Sequence, residues 1–440
     1  MCALVDGNNF YGDCERVFRP RLNGVPVIVL SNNDGCAVSR SNEANALGVQ
    51  MGQPWFQCRE FERTSGLVAL SSNYALYGDM SNRTITIAAD YALRQEIYSI
   101  DESFPDFDGV PGDLLAIGRM LRAKVLRHTG IPTCAGFGPT KKLATFANHV
   151  AKSAERKPGS YSPAYALVLS FGAVTLDEWQ AIFETTAVDE VWGIGRRISA
   201  KLNVGGMDTI VDFLKADVAT LRRQFSVVLE RTLMELRGVR ALELDDIIAP
   251  RQQIMCSRSF GHAVHAIEEM IEAVSAHTTR VAEKARADES LAGAVHVFIH
   301  TSRHRKQDKH YSASTTIQLV SPTADTLLMA SAALLGLRAI FREGYRYEKA
   351  GVMLVELQPD TIRQGALDLV DDVVQPEHAA SRDRTRLMVA MDRGNGPYGK
   401  GTLQLGTSSL APSTITWSTK AERRTPRYPT IWEEMPTAYA

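Results

Sequence analysis

The chain has 440 residues, 45% hydrophobic and 22% charged, which excludes a single small core and predicts about two to four folded units. Lys and Arg number 49 against 50 Asp and Glu, so no global basic field marks a nucleic-acid binder and any such contact must come from local patches. No apolar run approaches the ~18 residues of a membrane span, no basic stretch precedes an apolar one at the start, and the six cysteines lack zinc spacing. A cytoplasmic protein with reduced thiols and no membrane partner is expected.

In chain order, Cys2-Ala3-Leu4-Val5 reads as a buried strand that closes on Asp6 and Gly7, followed by the aromatic pair Phe10-Tyr11 and then Gly12. A small unit follows, with a strand over 25–30, a polar turn over 31–35 and a helix over 39–47. A long helix is expected over 73–94. An apolar strand over 96–100 then runs into the adjacent acids Asp101 and Glu102, which can face one point only if the backbone turns there. Two anions so close repel unless a cation intervenes, and Asp6, Asp101 and Glu102 are the hard oxygen donors that Mg²⁺ prefers, with Gly7 able to bring a carbonyl near. A helix over 112–128, a strand over 133–137 and a helix opened by Lys141-Lys142 come next. A basic pair at a helix N-terminus opposes the dipole, so an anion beside it is expected.

Beyond a turn at Lys157-Pro158-Gly159, Gly193-Ile194-Gly195 sits between two expected helices and leads into Arg196-Arg197. Such a turn lets backbone N–H groups reach a phosphate without reading sequence. An acidic stretch over 241–253 reads as a linker, and the elements over 254–357 run β-α-β-β-α-β, with Arg303, Arg305, Lys306 and Lys309 in the loop between the central strands. The last stretch, 358–440, is rich in Pro, Ser and Thr and reads as flexible. A P-loop at Gly394 is rejected, because Gly401 stands where Ser or Thr is required.

Several blocks together resemble the Y-family translesion DNA polymerases of the UmuC type, the catalytic subunits of bacterial DNA polymerase V. They are D-x-N-x-F-Y-x-x-C-E from Asp6, VLSNNDGC from Val29, Glu43 to Gly52, SSNYALYGDMSNR from Ser71, YSIDE from Tyr98, VWGIGRRISAK from Val191 and CSRSFG from Cys256. The resemblance spans nearly the whole chain. It implies an α+β multidomain right hand: a palm (1–10 and 73–169), small fingers (11–72), a helical thumb with a helix-hairpin-helix (170–240), a linker (241–253), a little finger (254–357) and a partner-binding tail (358–440).

The implied activity is error-prone, template-directed DNA synthesis past damaged bases in an SOS-type response, by two-metal nucleotidyl transfer with two Mg²⁺ ions. In that reading Asp6, Gly7, Asp101 and Glu102 hold metal, with Asp6, Asp101 and Glu102 catalytic. Phe10 and Tyr11 form the floor under the sugar, and Ser39, Arg40, Asn45 and Lys141 bind nucleotide, Lys141 and Arg40 neutralising the triphosphate. Gly193, Gly195, Arg196, Arg197, Arg303 and Arg305 grip DNA. The implied partners are primer-template DNA, deoxynucleoside triphosphates, a UmuD′-like accessory subunit and a recombinase filament, at the nucleoid when active. Two departures stand out. Asn45 replaces a lysine common in relatives, and Ala366-Leu367-Asp368-Leu369-Val370 lacks the Gln and aromatic of a clamp-binding peptide, so sliding-clamp binding is expected to be weak. Two other classes remain compatible with the residues: a catalytically poor DNA-binding scaffold that stalls replication, and a metal-dependent nucleotidyl cyclase on a similar carboxylate palm.

Overall fold

The computed structural model of the chain describes residues 1–245, 250–305, 307–361, 384–396, 398–399, 401–408 and 417–436. Two compact units form, Met1–Ile248 with Glu422–Ala440, and Ala249–Ala421. Among the described residues no helix is long and apolar enough to cross a membrane.

The first unit is built on a five-stranded sheet. Its strands are β1 (Cys2–Gly7), β5 (Arg94–Ile97), β6 (Glu102–Asp106), β7 (Thr133–Gly138) and β8 (Val168–Ser170), in the order β5-β6-β1-β7-β8. β1 lies antiparallel between β6 and β7, and side chains alternate across it. Ala3 and Val5 join Ala135 and Phe137 in a core under helices α5 (Tyr74–Ala89) and α6 (Leu114–Thr129). The opposite face receives α7 (Lys141–Arg156), whose buried stripe meets the strands directly. Glycine makes that approach possible: a Cβ at Gly136 would lie 2.1 Å from Asn148 N, and one at Gly138 would lie 2.4 Å from Ala144 N, both in α7. The face of β1 that carries Asp6 therefore looks onto a helix whose backbone touches the neighbouring strand β7.

Between β1 and the rest of that sheet the chain makes α1 (Phe10–Phe18) and a three-stranded sheet of β2 (Val27–Leu30), β3 (Ala37–Arg40) and β4 (Val68–Ser71), ordered β3-β2-β4. The expected helix over 39–47 is corrected here. Ala37 and Ser39 alternate inward along β3, and Ser41 starts the shorter α2 (Asn42–Ala46), its side chain accepting from Ala44 N. The expected helix over 73–94 also ends early, at Ala89, because Arg94 is needed across the β5–β6 ladder, where its guanidinium reaches Asp106 at 2.7 Å. After β8 come helices spanning Leu176–Thr185, Arg196–Val204, Ile210–Leu214, Val218–Gln224 and Val227–Leu236. Their core, with Trp179, Phe183 and Phe213, packs against Phe146 and Val150 of α7.

The second unit runs Ile254–Val264, Ile267–Ala287, Ser290–Thr301, Ser312–Thr323, Thr326–Ile340 and Tyr347–Pro359, the expected β-α-β-β-α-β order. Its four strands pair antiparallel, and both helices share one core with them. The C-terminal stretch, expected to be flexible, carries structure on both units. Helix Thr385–Asn395 is tied to the second unit by an Arg286–Asp392 ion pair at 2.6 Å and by buried Met388. Glu422 onward belongs to the first unit. Its polar composition conceals a few anchoring side chains that bury well. The clamp-like segment 366–370 lies outside the described residues.

Candidate active site

The three sequence-singled acids come together at one end of the central sheet. Asp6 and Glu102 are direct cross-strand partners in the β1–β6 ladder, so their side chains leave the same face. The turn that the adjacent acids call for is a hairpin between β5 and β6. β5 ends at Ile97, Tyr98 N and Ser99 N both donate to Glu102 O, and Asp101 sits at the tip outside the ladder. That turn lets adjacent acids face one place. Ser99 Oγ accepts from Asp101 N and Glu102 N and donates to Asp101 Oδ1 at 2.7 Å. Gly7 N donates to Asp101 O at 2.9 Å, stitching the tip to the end of β1.

Electrostatically the cluster has a surplus of negative charge. Burial, then the neighbouring Asp6 and Asp101, push the Glu102 carboxyl up to about 7, and burial likewise raises Asp101. Lys152 of α7 pairs with Asp6 Oδ2, and Asn148 one turn earlier donates to the same oxygen at 3.4 Å. Among the described residues no three or more His, Cys, Asp or Glu side chains are disposed as a metal shell, and Lys152 and Ser99 engage oxygens of Asp6 and Asp101. The donor chemistry nonetheless fits a hard divalent cation: three carboxylates face one ammonium on a half-buried strand end.

Lys152 and Asn148 were not singled out in the sequence. The signal that could have found them is their spacing. Ala144, Asn148 and Lys152 recur every four residues along the buried stripe of α7, where an amide and an ammonium interrupt an apolar pattern.

Lys141, expected at the triphosphate, is placed elsewhere. It is buried and paired with Glu96, whose Oε2 also accepts from Asp245 N at 2.8 Å. It precedes Lys152 by eleven residues, about 16 Å along a helix. Lys142 is similarly engaged: its ammonium lies 4.0 Å above the Trp192 ring and donates to Trp192 O, its backbone N donates to Glu235, and burial lowers it to about 8. The anion that a basic helix start calls for is thus supplied internally, by Glu96 and Glu235.

Of the aromatic pair, Phe10 is a core residue, 3% exposed, and its ring fills the space beside Gly7, where a Cβ would meet it at 2.8 Å. Phe10 is therefore no floor for a ligand. Tyr11 is half-buried and stacks on Tyr77 at 4.5 Å and 15°. Gly12, the next residue, lies inside α1, whose backbone is fixed by the helix. Ser39 Oγ reaches Asn9 O at 3.5 Å, which keeps it beside the β1–α1 corner. Arg40, expected at the triphosphate, donates to Val49 O, and Asn45 is exposed on α2.

Gly193, Gly195, Arg196 and Arg197 are all exposed, with Ile194 buried beneath them. The turn is flanked by a single 3₁₀ turn, Val188–Glu190, on one side and by helix Arg196–Val204 on the other, so the first of the two expected helices is only one turn long. Gly193 adopts φ +95°, a conformation that favours glycine. In the second unit Arg303 and Arg305 are exposed in the loop after Thr301, and Arg305 lies 3.9 Å from Asp308.

Comparison with known proteins gives a consistent picture. Residues 5–149 match the impB/mucB/samB family, residues 251–367 its C-terminal domain, and residues 385–438 a domain of unknown function. The chain is 41% identical to protein UmuC of Salmonella typhimurium over 99% of both chains, and 36% identical to protein MucB of Escherichia coli over 100% of this chain and 99% of that one. A Y-family DNA polymerase chimera of Dbh and Dpo4 shares the fold, with TM-score 0.63 and 18% identity over 81% of this chain and 99% of the other.

Proposed function

Because the chain belongs to the impB/mucB/samB family, as a UmuC-type Y-family DNA polymerase, we propose that the cluster of Asp6, Asp101 and Glu102 is its nucleotidyl-transfer centre and holds two Mg²⁺ ions. The protein is a DNA-directed DNA polymerase for error-prone translesion synthesis in SOS mutagenesis, acting on DNA and deoxynucleoside triphosphates with a divalent metal cation. The observation that carries the site assignment is the cross-strand pairing of Asp6 with Glu102, with Asp101 at the adjoining hairpin tip.

Bound there, the ions would activate the primer 3′-hydroxyl and neutralise the triphosphate and leaving pyrophosphate. The chain's own residues do the rest. Asp6, Asp101 and Glu102, with the Gly7 carbonyl, would hold the ions, and Ser99 keeps Asp101 aimed. Lys152, at the edge of the carboxylate cluster, would neutralise the triphosphate, since Lys141 is held in its buried pair with Glu96. Tyr11 stands under the sugar and excludes a 2′-hydroxyl, while Ser39 and Asn45 border the nucleotide. The exposed glycine turn with Arg196 and Arg197, and the loop with Arg303 and Arg305, contact phosphates of primer-template DNA without reading sequence.

A UmuD′-like subunit and a recombinase filament are the partners this lineage calls for, with weak binding to the sliding clamp and work at the nucleoid. The test is primer extension opposite a damaged template base, with and without those two partners. Extension past the lesion that needs divalent cation is expected. Template-independent product, or cyclised nucleotide, would overturn the reading.

A further inference from the structure

Residues 422–436, within the matched domain of unknown function, start against the end of β4, an outer strand of the three-stranded sheet, and run on over α1 and the start of α5. Ser71 N donates to Arg423 O at 3.2 Å, and Arg423 N to Ser71 Oγ at 3.0 Å. Three anchors hold this strap. The Arg423 guanidinium lies 4.9 Å over Trp55 and pairs with Glu62. The Asn73 amide donates to Thr425 Oγ1 at 3.0 Å and to Pro426 O at 2.9 Å. Tyr428 stacks on Phe18 at 4.6 Å and 8°.

The middle anchor leads inward. Thr425 Oγ1 donates to Glu15 Oε1 at 3.0 Å, and Tyr77 OH donates to the same oxygen at 2.9 Å. Tyr77 in turn is the ring on which Tyr11 stacks. Glu15 is fully buried, burial raises its carboxyl, and its Oε2 meets no donor among the described residues. A half-satisfied buried carboxyl costs stability that an apolar side chain of similar size would not. Its presence calls for a use other than stability, and the two hydroxyls it holds are the use on view.

We propose that the strap is a positioning element for nucleotide selection, in which Thr425 and Glu15 fix the Tyr77 hydroxyl and, through the stack, the seat of the Tyr11 ring. The inference rests on Tyr11 as the sugar-excluding ring. A stack constrains the spacing of two rings but lets them slide, whereas a hydrogen bond to a carboxylate at the far edge of Tyr77 fixes its position in the plane. A seated ring leaves no room at C2′; a sliding one does.

The test is single-nucleotide insertion by the full chain, reading the ratio of kcat/KM for ribo- to deoxynucleotide together with the melting temperature. Thr425→Val removes the hydroxyl at nearly constant shape and should raise the ratio about threefold to tenfold, the scale of one charged hydrogen bond partly transmitted. Thr425→Ser should restore the natural ratio, and Tyr77→Phe, which keeps the stack, should reproduce the rise. Tyr11→Ala is the control: an unchanged ratio there sinks the sugar-gate reading and this proposal with it. A raised ratio in Tyr11→Ala with natural ratios in Thr425→Val and Tyr77→Phe overturns the strap's role alone. So does an equal fall for both nucleotides that tracks melting temperature, which is what a merely structural strap would give.

Discussion

The two ends of α7 carry the same kind of pair, a lysine against a carboxylate buried in the central sheet, and put it to opposite uses. At the N-terminal end Lys141 and Glu96 are both buried, Asp245 N supplies Glu96 with a further donor, and the charges cancel. At the other end Lys152 pairs with Asp6, but Asp101 and Glu102 stand beside it partly exposed and share that one ammonium's field, with raised proton affinity. A balanced, enclosed pair is structure. A carboxylate surplus at a partly exposed strand end has the chemistry to receive a cation, as proposed above.

The largest expected effect breaks the open end. Asp101→Asn keeps the shape of the hairpin tip and removes one charge, so turnover should fall by at least ~10³ with DNA binding retained, on the scale of other preorganised electrostatic sites. Steady-state primer extension beside a DNA-binding titration checks it, and near-normal extension would rule the cluster out. Next in size is the ring near that end. Tyr11→Ala should relax discrimination against ribonucleotides by about 10²–10³, since a ring beneath C2′ acts by excluding the hydroxyl and denying it a partner. The ratio of insertion efficiencies measures it.

The comparison itself is sharpened by matched variants of the two lysines. Lys152→Met should raise the KM for nucleotide by about 10-fold to 100-fold, the loss of one charge-assisted contact to phosphate, with little change in melting temperature. Lys141→Met should do the reverse, leaving KM alone while stranding Glu96 in the interior at a cost of about 3–5 kcal/mol in stability. Equal behaviour of the two would erase the distinction drawn between the ends. The smallest effect lies where Lys142 reaches the exposed turn. Removing both charges with Arg196→Gln and Arg197→Gln should weaken binding to any DNA sequence alike and flatten the logarithmic salt dependence by about 1–2 units, read by titration across salt concentrations. An unchanged slope would take the turn out of the DNA interface.

What the sequence determined by itself was the set of local devices: a buried strand ending in Asp6, an adjacent pair of acids that demanded a turn, a Gly-Ile-Gly turn, and a β-α-β-β-α-β run read from alternating periods of two and 3.6. Each is legible because short-range sterics and patterning dictate it. Even the break at Asp101 followed from the impossibility of two neighbouring strand residues facing one point. What only the tertiary structure decided was which charge meets which. Lys141 and Lys152 sit on the same helix, and their local sequences do not say which meets Asp6. The register of β1 against β7, and the close approach that Gly136 and Gly138 permit, set α7 so that Lys152 and not Lys141 reaches the acid. The strap was hidden for the same reason. A polar, proline-rich tail reads as unstructured until Thr425, Arg423 and Tyr428 find Glu15, Trp55 and Phe18, partners about four hundred positions earlier in the chain. Pairings at that separation leave no local period in the sequence; they exist only once two independently specified surfaces have met.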